Sequence, residues 1–176
     1  MSSISLNPPI RSAARPTPVS TGSEWIQIDL SGLILERWVW NGSLYMSDRK
    51  IHSLPIDDMN YVAAGKFWAI GKDQGYGLHL LELNWTPILT SGVYNTSNYW
   101  ALAISEHQPN NTIGYSTELR TGTLSLTGDT NLSLTKTLNR TVDNGVAKIR
   151  LTTYKSGIPP NISHGWIGIS YRLTTP

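Results

Sequence analysis

Four histidines are the residues best suited to metal binding or acid–base chemistry, and they lie far apart in the chain. They are His52, His79, His107 and His164. No two of them have the His-x-His or His-x-x-x-His spacing that often places two imidazoles on one metal ion. Cysteine is absent, which excludes disulfides, thiolate metal sites and cysteine nucleophiles. We therefore expect no metal site and no cofactor, and interpret the histidines as ordinary surface or loop residues.

The acidic residues offer a second possible chemistry. A glycosidase holds two carboxylates a fixed distance apart across a sugar cleft, but nothing in the sequence selects two of the 12 acids. Glu82 and Glu106 fall in predicted strands, and we interpret both as solvated carboxylates. The glycine-rich segment 71–77 lacks the Lys-Ser/Thr ending of a phosphate-binding loop. These patterns predict that the chain is not an enzyme, and a β-rich lyase with a dispersed site is the alternative left open.

Tryptophan and tyrosine are the remaining candidates, because seven Trp and eight Tyr stand against one Phe. An exposed aromatic ring beside amide side chains can stack on the apolar face of a sugar while the amides bind its hydroxyl groups. Loop aromatics next to polar stretches fit this pattern best. The predicted possible glycan contacts are Tyr76, Tyr94, Asn95, Asn98 and Asn110. Burial in the core or in a subunit interface is the alternative for every aromatic residue.

The elements that must position these residues have the pattern of strands. Residues 33–40 and 43–46 flank Asn41-Gly42, and both of these residues tolerate the positive φ of a two-residue type I′ turn. A second hairpin is predicted between 61–70 and 78–85, joined by the loop 71–77. The sequence therefore predicts at least two hairpins in the first half of the chain.

Apolar residues continue to alternate with polar ones in the second half, in the segments 99–106, 124–138, 146–154 and 166–173. We count roughly nine or ten strands at the spacing of a β-sandwich, and no convincing helix. Parallel sheets need crossover helices, so half-buried alternating strands favour antiparallel pairing. The predicted fold class is all-β, an antiparallel, jelly-roll-like β-sandwich.

Residues 1–23 differ from the rest of the chain, because they are rich in proline and contain no acid before Glu24. Proline rings disfavour helix and sheet. We predict an extended N-terminal arm over residues 1–23 and a β-sandwich domain over residues 24–176. A segment with no core of its own becomes ordered on another surface, so we expect the arm to dock on neighbouring proteins, with a mobile tail as the alternative. The predicted assembly residues are Pro8, Pro9, Ile10, Arg11, Arg15, Pro16 and Pro18.

The charge balance narrows the classes of partner. A net charge of +2, from 14 basic and 12 acidic residues, does not favour nucleic acid or an anionic membrane as the partner. No segment approaches the ~18 apolar residues of a membrane helix, and the N-terminus has no leader pattern. We therefore expect no nucleic-acid binding and no membrane insertion. The low charged fraction, 15%, favours the exposed β-surface of secreted or virion-type proteins.

Residues 33–47, LILERWVWNGSLYMS, resemble a segment of phage tail-fibre and phage-tail-like fibre proteins, in which an ERW-W-NG--Y-S pattern opens a β-rich distal domain. The similarity extends from Trp25 to Ser47. It implies a trimeric β-sandwich tip that recognises cell-surface glycans and is attached through its N-terminal side to a shaft or baseplate. This chain departs from the pattern, since a short proline-rich arm stands in place of a shaft.

The resulting hypothesis is a structural protein of a bacteriophage or phage-like particle, either a short tail fibre and receptor-binding component or a decoration protein docked by its arm. We expect it in the virion, assembled in the host cytoplasm. The expected partners are other copies of the chain, with a trimer favoured, other virion or tail proteins through the arm, and a host-surface glycan. A free carbohydrate-binding module (lectin) is the alternative, and a polysaccharide-degrading enzyme is a third hypothesis.

Overall fold

The computed structural model describes residues 8–57, 67–70, 76–107, 113–142 and 148–175. These residues form strands, turns and loops without a helix, so the predicted all-β class is confirmed. Consequently no helix in the described ranges is long and apolar enough to cross a membrane.

Fifteen strands are described, more than the alternation of the sequence indicates. In chain order the strands are β1 (Ile10–Ser12), β2 (Glu24–Ile28), β3 (Ile34–Trp40), β4 (Tyr45–Ser47), β5 (Lys50–Asp57), β6 (Phe67–Ile70), β7 (Gly77–Leu89), β8 (Gly92–Tyr94), β9 (Tyr99–His107), β10 (Ile113–Arg120), β11 (Leu124–Leu126), β12 (Thr130–Asn131), β13 (Leu134–Val142), β14 (Lys148–Ser156) and β15 (Ile162–Thr174).

The largest sheet has nine strands and is organised around β15 and β7. These two long strands pair antiparallel from Ile162 opposite Leu89 to Thr174 opposite Gly77. The other edge of β15 pairs with β5 and β4, and the other edge of β7 pairs with β13 and β12. From β4 the sheet continues through β3 and β2 to β1 at its edge.

A four-stranded sheet in the order β10-β9-β14-β6 and a two-stranded sheet of β8 and β11 complete the sandwich. One contiguous core joins the sheets, because Leu83 and Trp85 of β7 belong to the same buried cluster as Leu102 and Ile104 of β9. The antiparallel β-sandwich predicted from the sequence is therefore confirmed. One pair departs from antiparallel order, since β1 runs parallel to β2.

The hairpin at Asn41-Gly42 is confirmed, but its loop has four residues rather than two. Trp40 pairs with Tyr45, and the Asn41 side-chain oxygen accepts the backbone N–H groups of Ser43 at 2.9 Å and Leu44 at 2.8 Å. Gly42 alone in this loop has a positive φ, of 106°. The predicted type I′ turn is wrong because the Asn41 side chain provides a local acceptor for the loop backbone.

The second predicted hairpin is wrong. Strand β6 pairs with β14 in the four-stranded sheet, whereas β7 belongs to the nine-stranded sheet. The chain therefore crosses from one layer of the sandwich to the other between these two strands. Alternation within a strand predicts the strand itself, but the partner is chosen by long-range packing that adjacent sequence does not encode.

The described part of the arm lies on its own chain, which corrects the expectation that only a foreign surface orders it. Ile10–Ser12 pair with Trp25, Ile26 and Gln27, and the Trp25 indole donates a hydrogen bond to the Ser12 carbonyl at 3.0 Å. An edge strand offers unpaired backbone groups, and β2 accepts the arm through them. Docking of the arm on other proteins stays a prediction.

Replacing Trp38 by Ala should destabilise the fold by about 3–5 kcal/mol, the usual cost of truncating a buried aromatic residue. Trp38 is fully buried and stacks on Trp25 with ring centroids 5.8 Å apart. The matched control is Trp166→Ala, since Trp166 is 59% exposed and its loss should cost less than about 1 kcal/mol. Urea unfolding measures both, and equal costs would contradict this packing.

Candidate functional site

The connection between β2 and β3 is a stiffened hairpin end, here called the hairpin tip (residues 28–35). The Asp29 N–H donates to the Leu33 carbonyl at 2.9 Å, and the Gly32 N–H donates to the Asp29 carbonyl at 3.1 Å. One carboxylate oxygen of Asp29 accepts the backbone N–H and the hydroxyl of Ser31 and the N–H of Leu33, at 2.7–2.9 Å. Gly32 adopts a φ of 87°, which suits glycine. The tip backbone is therefore fixed by its own polar groups.

The fixed backbone presents apolar side chains to solvent. Leu30 is fully exposed, Leu33 is 63% exposed, and Ile34 and Leu35 are each 55% exposed. Scattered apolar residues are normal on a protein surface, but a contiguous apolar patch marks an interaction site. The sequence signal was present in Leu33-Ile34-Leu35, since an unbroken apolar run puts apolar residues on both faces of a strand.

Beside the tip lies a cleft of about 390 Å³, here called the tyrosine cleft. It is lined by Gln27, Leu35, Glu36, Lys50, Tyr76, Tyr171 and Leu173. The Lys50 ammonium lies 2.7 Å from a carboxylate oxygen of Glu36. Tyr76 donates its hydroxyl hydrogen to the Gln27 side-chain oxygen at 3.1 Å, and Trp38 donates its indole N–H to the same oxygen at 3.1 Å. The cleft thus combines two half-buried phenol rings with a charged pair and an amide.

A second cleft of about 410 Å³, here called the arm seat, lies between the arm and the β3–β4 hairpin. It is lined by Arg15, Pro16, Thr17, Pro18, Trp40, Ser43 and Tyr45. The Tyr45 side chain is fully buried, and its hydroxyl has no hydrogen-bond partner among the described residues. Burial raises the pKa of Tyr45, and the charge of Arg15 opposes that rise. The phenol therefore stays neutral beneath the arm.

The two predicted sugar-stacking tyrosines are not exposed loop residues. Tyr94 is fully buried, and its hydroxyl donates toward the carbonyls of Thr90 at 3.1 Å and Asn161 at 3.2 Å. The prediction that its ring stacks on a sugar is therefore wrong, because the ring is not exposed. Tyr76 is half-buried with its ring 5.0 Å from that of Trp38. Tyr76 nevertheless lines the tyrosine cleft, where a ligand can reach its edge.

The predicted asparagines are engaged in loop structure. The Asn95 side-chain oxygen accepts the backbone N–H groups of Ser97 at 2.8 Å and Asn98 at 2.9 Å, and the Asn98 side-chain oxygen accepts the N–H of Ile158 at 3.0 Å. Asn110 lies outside the described residues. Neither Asn95 nor Asn98 lines the tyrosine cleft where Tyr76 lies, so these predicted glycan contacts do not gather at that cleft.

Two polar contacts, one ion pair and one hydrogen bond, join strands of the sandwich. Glu106 is 5% exposed and forms an ion pair with Arg140 at 2.9 Å, which corrects its interpretation as a solvated carboxylate. On the four-stranded sheet Tyr154 donates its hydroxyl hydrogen to Glu118. Burial and this hydrogen bond raise the pKa of Tyr154 to about 12. Tyr154 therefore acts as a neutral donor across the physiological range.

Within the described ranges, no three side chains from His, Cys, Asp and Glu gather as ligands for a metal ion. The tyrosine cleft and the hairpin tip were both missed by sequence reasoning. The cleft residues come from β2, β3, β5, β15 and the approach to β7, and no spacing within one segment signals that assembly. Leu35 belongs both to the tip and to the lining of the cleft.

Neither a known protein family nor a curated protein matches the chain. Solved structures with some similarity include proteins of a virus and of a bacterial pilus. The VP2 protein of infectious bursal disease virus in derived T=1 particles has a TM-score of 0.39 and 14% identity, over 91% of this chain and 39% of that chain. A second infectious bursal disease virus structure, of the Gx strain, has a TM-score of 0.36 and 15% identity, over 74% and 33% of the two chains.

The Bacillus endospore appendage, described as a disulfide-linked pilus, has a TM-score of 0.33 and 12% identity, over 77% of this chain and 94% of that one. This chain spans well under half the length of the two viral proteins. At TM-scores this low, none of these similarities supports a conclusion about function. A conclusion about function must therefore rest on the strand pairing and the surface of this molecule.

Replacing Ser31 by Ala should raise the pKa of the Asp29 carboxyl toward its ordinary value of 3.8. The hydrogen bond from the Ser31 hydroxyl, followed by the one from the Leu33 N–H, lowers that pKa. Because the folded-state pKa is lowered, the stabilisation is complete above the unfolded-state value and is lost as the pH falls through the folded-state value. Carboxyl carbon chemical shifts, followed by NMR against pH, measure the change. The control Ser43→Ala, in the β3–β4 loop, should leave Asp29 unchanged.

Proposed function

We propose that this chain is a structural subunit of a virion or phage-like particle and that it self-associates through the hairpin tip. The exposed apolar tip supports this proposal most strongly, because Leu30, Leu33, Ile34 and Leu35 stand on a backbone that is already fixed. Burying such side chains gains about 25 cal/mol per Å² of apolar area. A preordered tip also loses little conformational entropy on association. The proposal assigns no catalytic role to the chain.

The partner proposed for the tip is a second copy of the chain. An apolar patch can be self-complementary, and most soluble oligomers are homo-oligomers with closed point-group symmetry. A trimer is the proposed state, since three tips that converge on one axis cover one another. A short tail fibre or a decoration protein is the proposed role in the particle, and this role rests on the fibre-like segment 33–47 of the sequence.

Replacing Leu30 and Leu33 by Ser should convert the oligomer to a monomer, because the double variant removes apolar area from the tip and leaves the Asp29 hydrogen bonds in place. Sedimentation equilibrium measures the mass, and urea unfolding of the separated monomer shows that the sandwich remains folded. The matched control is Val19→Ser with Ile158→Ser, since these residues are 76% and 88% exposed and lie outside the tip. The control should keep the mass of the unaltered chain.

A chain that sediments as a monomer at all concentrations would contradict the proposed self-association. So would a double tip variant that keeps the full oligomer mass. The first result removes the whole proposal, and the second removes the tip as its interface.

A glycan-binding module is the second candidate function, and the tyrosine cleft favours it. Tyr76 and Tyr171 supply phenol rings, while Gln27, Glu36 and Lys50 supply an acceptor amide, a carboxylate and an ammonium. Sugar sites combine apolar contact area with a few placed polar groups in this way. This candidate is compatible with a particle subunit, since a particle can present the cleft to a cell surface.

Replacing Glu36 and Lys50 together by Gln should weaken glycan binding at least about tenfold, the effect of losing roughly 1.4 kcal/mol, while the shape of the cleft is kept. The matched control is Glu24→Gln with Arg37→Gln, which removes the 2.8 Å ion pair between β2 and β3, outside the cleft. A glycan array identifies the ligand and titration calorimetry measures the affinity. If the unaltered chain binds no glycan on the array, this candidate function is overturned. It is also overturned if the cleft variant and the control variant bind the glycan with equal affinity.

A further inference from the structure

We infer that the outer face of the largest sheet binds a neutral oligosaccharide, with the Trp166 ring as the stacking surface. The site lies on β5, β15, β7 and β13, and it is here called the outer platform. It shares no residue with the hairpin tip or the tyrosine cleft. The inference therefore goes beyond both proposed functions and depends on neither.

The strand register defines the outer platform, because directly paired residues point to the same side of a sheet. Ile167, Ile169 and Trp85 are fully buried on the inner side, so the residues that alternate with them face outward. The platform measures about 13 Å along the strands and about 14 Å across them, which suits an oligosaccharide better than a single sugar. Its three rows are Pro55, Trp166 and Thr86; Ser53, Gly168, Asn84 and Thr135; and Ile51, Ser170, Glu82 and Thr137.

Trp166 is the exposed aromatic ring of the outer platform. Its side chain is 59% exposed although it lies in mid-strand, between Pro55 of β5 and Thr86 of β7. Two residues farther along β15, Gly168 has no side chain, so the floor beside the ring is low. A methyl group placed on Gly168 would meet the Asn84 Cβ at an ordinary contact distance of 3.7 Å. The apolar face of a sugar can therefore approach the indole without a neighbouring side chain in its way.

A hydrogen-bonded network fixes the polar groups beside that floor. Thr135 donates its hydroxyl hydrogen to the Asn84 side-chain oxygen at 2.8 Å, and the Asn84 amide donates to a Glu82 carboxylate oxygen at 2.9 Å. Arg49 donates to the Ser170 hydroxyl at 3.0 Å and lies 3.5 Å from the same Glu82 oxygen. Among the described residues, the second amide N–H of Asn84 and the other oxygen of Glu82 have no hydrogen-bond partner. One donor and one acceptor are thus held in place for ligand hydroxyl groups.

The charges of the outer platform favour a neutral ligand. Glu82 and Arg49 form an ion pair with each other, and the three rows contain no other charged residue. The core of a protein interface is apolar and depleted in charge, whereas here a polar row and an ion pair follow the aromatic ring. The apolar members Pro55 and Ile51 are confined to the β5 margin. An exposed ring with a few placed polar groups is instead the composition of a sugar site.

Replacing Trp166 by Ala should weaken oligosaccharide binding at least about tenfold, because the stacking surface is lost. An array of neutral oligosaccharides of hexoses and N-acetylhexosamines identifies the ligand, and titration calorimetry measures the affinity. The matched control is Ile113→Ala, since Ile113 is also 59% exposed and lies on β10 of the other sheet. The control should bind the oligosaccharide as the unaltered chain does.

Replacing Gly168 by Ala tests the low floor while the aromatic ring is kept. The contact of 3.7 Å allows the fold to accept the methyl group, but that group stands where the sugar would lie. The affinity should therefore fall at least about threefold. Urea unfolding of each variant shows that the sandwich remains folded.

Nuclear magnetic resonance locates the ligand directly. The chain has seven tryptophans, and the indole N–H signal that is missing from the Trp166→Ala spectrum belongs to Trp166. Addition of the oligosaccharide should shift this signal and leave that of the buried Trp38 unchanged.

The outcomes separate the outer platform from the other surfaces. Weaker binding by Trp166→Ala and Gly168→Ala, but not by the control, supports the platform. Binding of no neutral oligosaccharide by the unaltered chain, or unchanged affinity of Trp166→Ala, overturns it. Binding that is lost only in the Glu36→Gln and Lys50→Gln double variant assigns the sugar to the tyrosine cleft and overturns the platform. If Trp166→Ala instead lowers the oligomer mass in sedimentation, the face is a contact between copies and the inference is overturned.

Discussion

The stacked pair Trp25 and Trp38 is the interaction on which the rest of this edge of the molecule depends. The rings are 5.8 Å apart, and Tyr45 meets Trp25 edge-on at 5.6 Å. Each indole N–H is also used, since Trp25 donates to Ser12 of the arm and Trp38 donates to Gln27 of the tyrosine cleft. Because these two rings pack against each other and also donate hydrogen bonds, they fix the positions of their strands and of the polar groups that accept those bonds.

Three surfaces of the molecule are arranged around this pair. The hairpin tip continues beyond the ends of β2 and β3, the tyrosine cleft lies beside it, and the arm seat lies at the opposite end of the same strands. The tip has a fixed backbone and exposed apolar side chains, whereas Pro16 and Pro18 of the arm are half-buried in the arm seat.

The candidate site could be predicted from the sequence only in part. Aromatic and amide side chains are the residue types that the sequence indicates for glycan contact, and of the predicted residues Tyr76 lines a cleft. Tyr94 was assigned to a loop, but the pairing of β8 with β11 buries it completely. Glu36, Lys50 and Tyr171 could not be found, because each is unremarkable within its own segment and they meet only when β3, β5 and β15 are assembled.

The sequence by itself determined the β class, the strand segments and the hairpin at Asn41, because two-residue alternation and turn chemistry act over a few neighbouring residues. Only the tertiary structure decided that β6 joins the sheet opposite to β7 and that β1 adds to β2 of its own chain. Strand partners are set by which apolar faces can be buried together across the whole chain, and a free strand edge accepts any backbone of suitable shape. Local sequence therefore specifies the strands, and global packing specifies their neighbours.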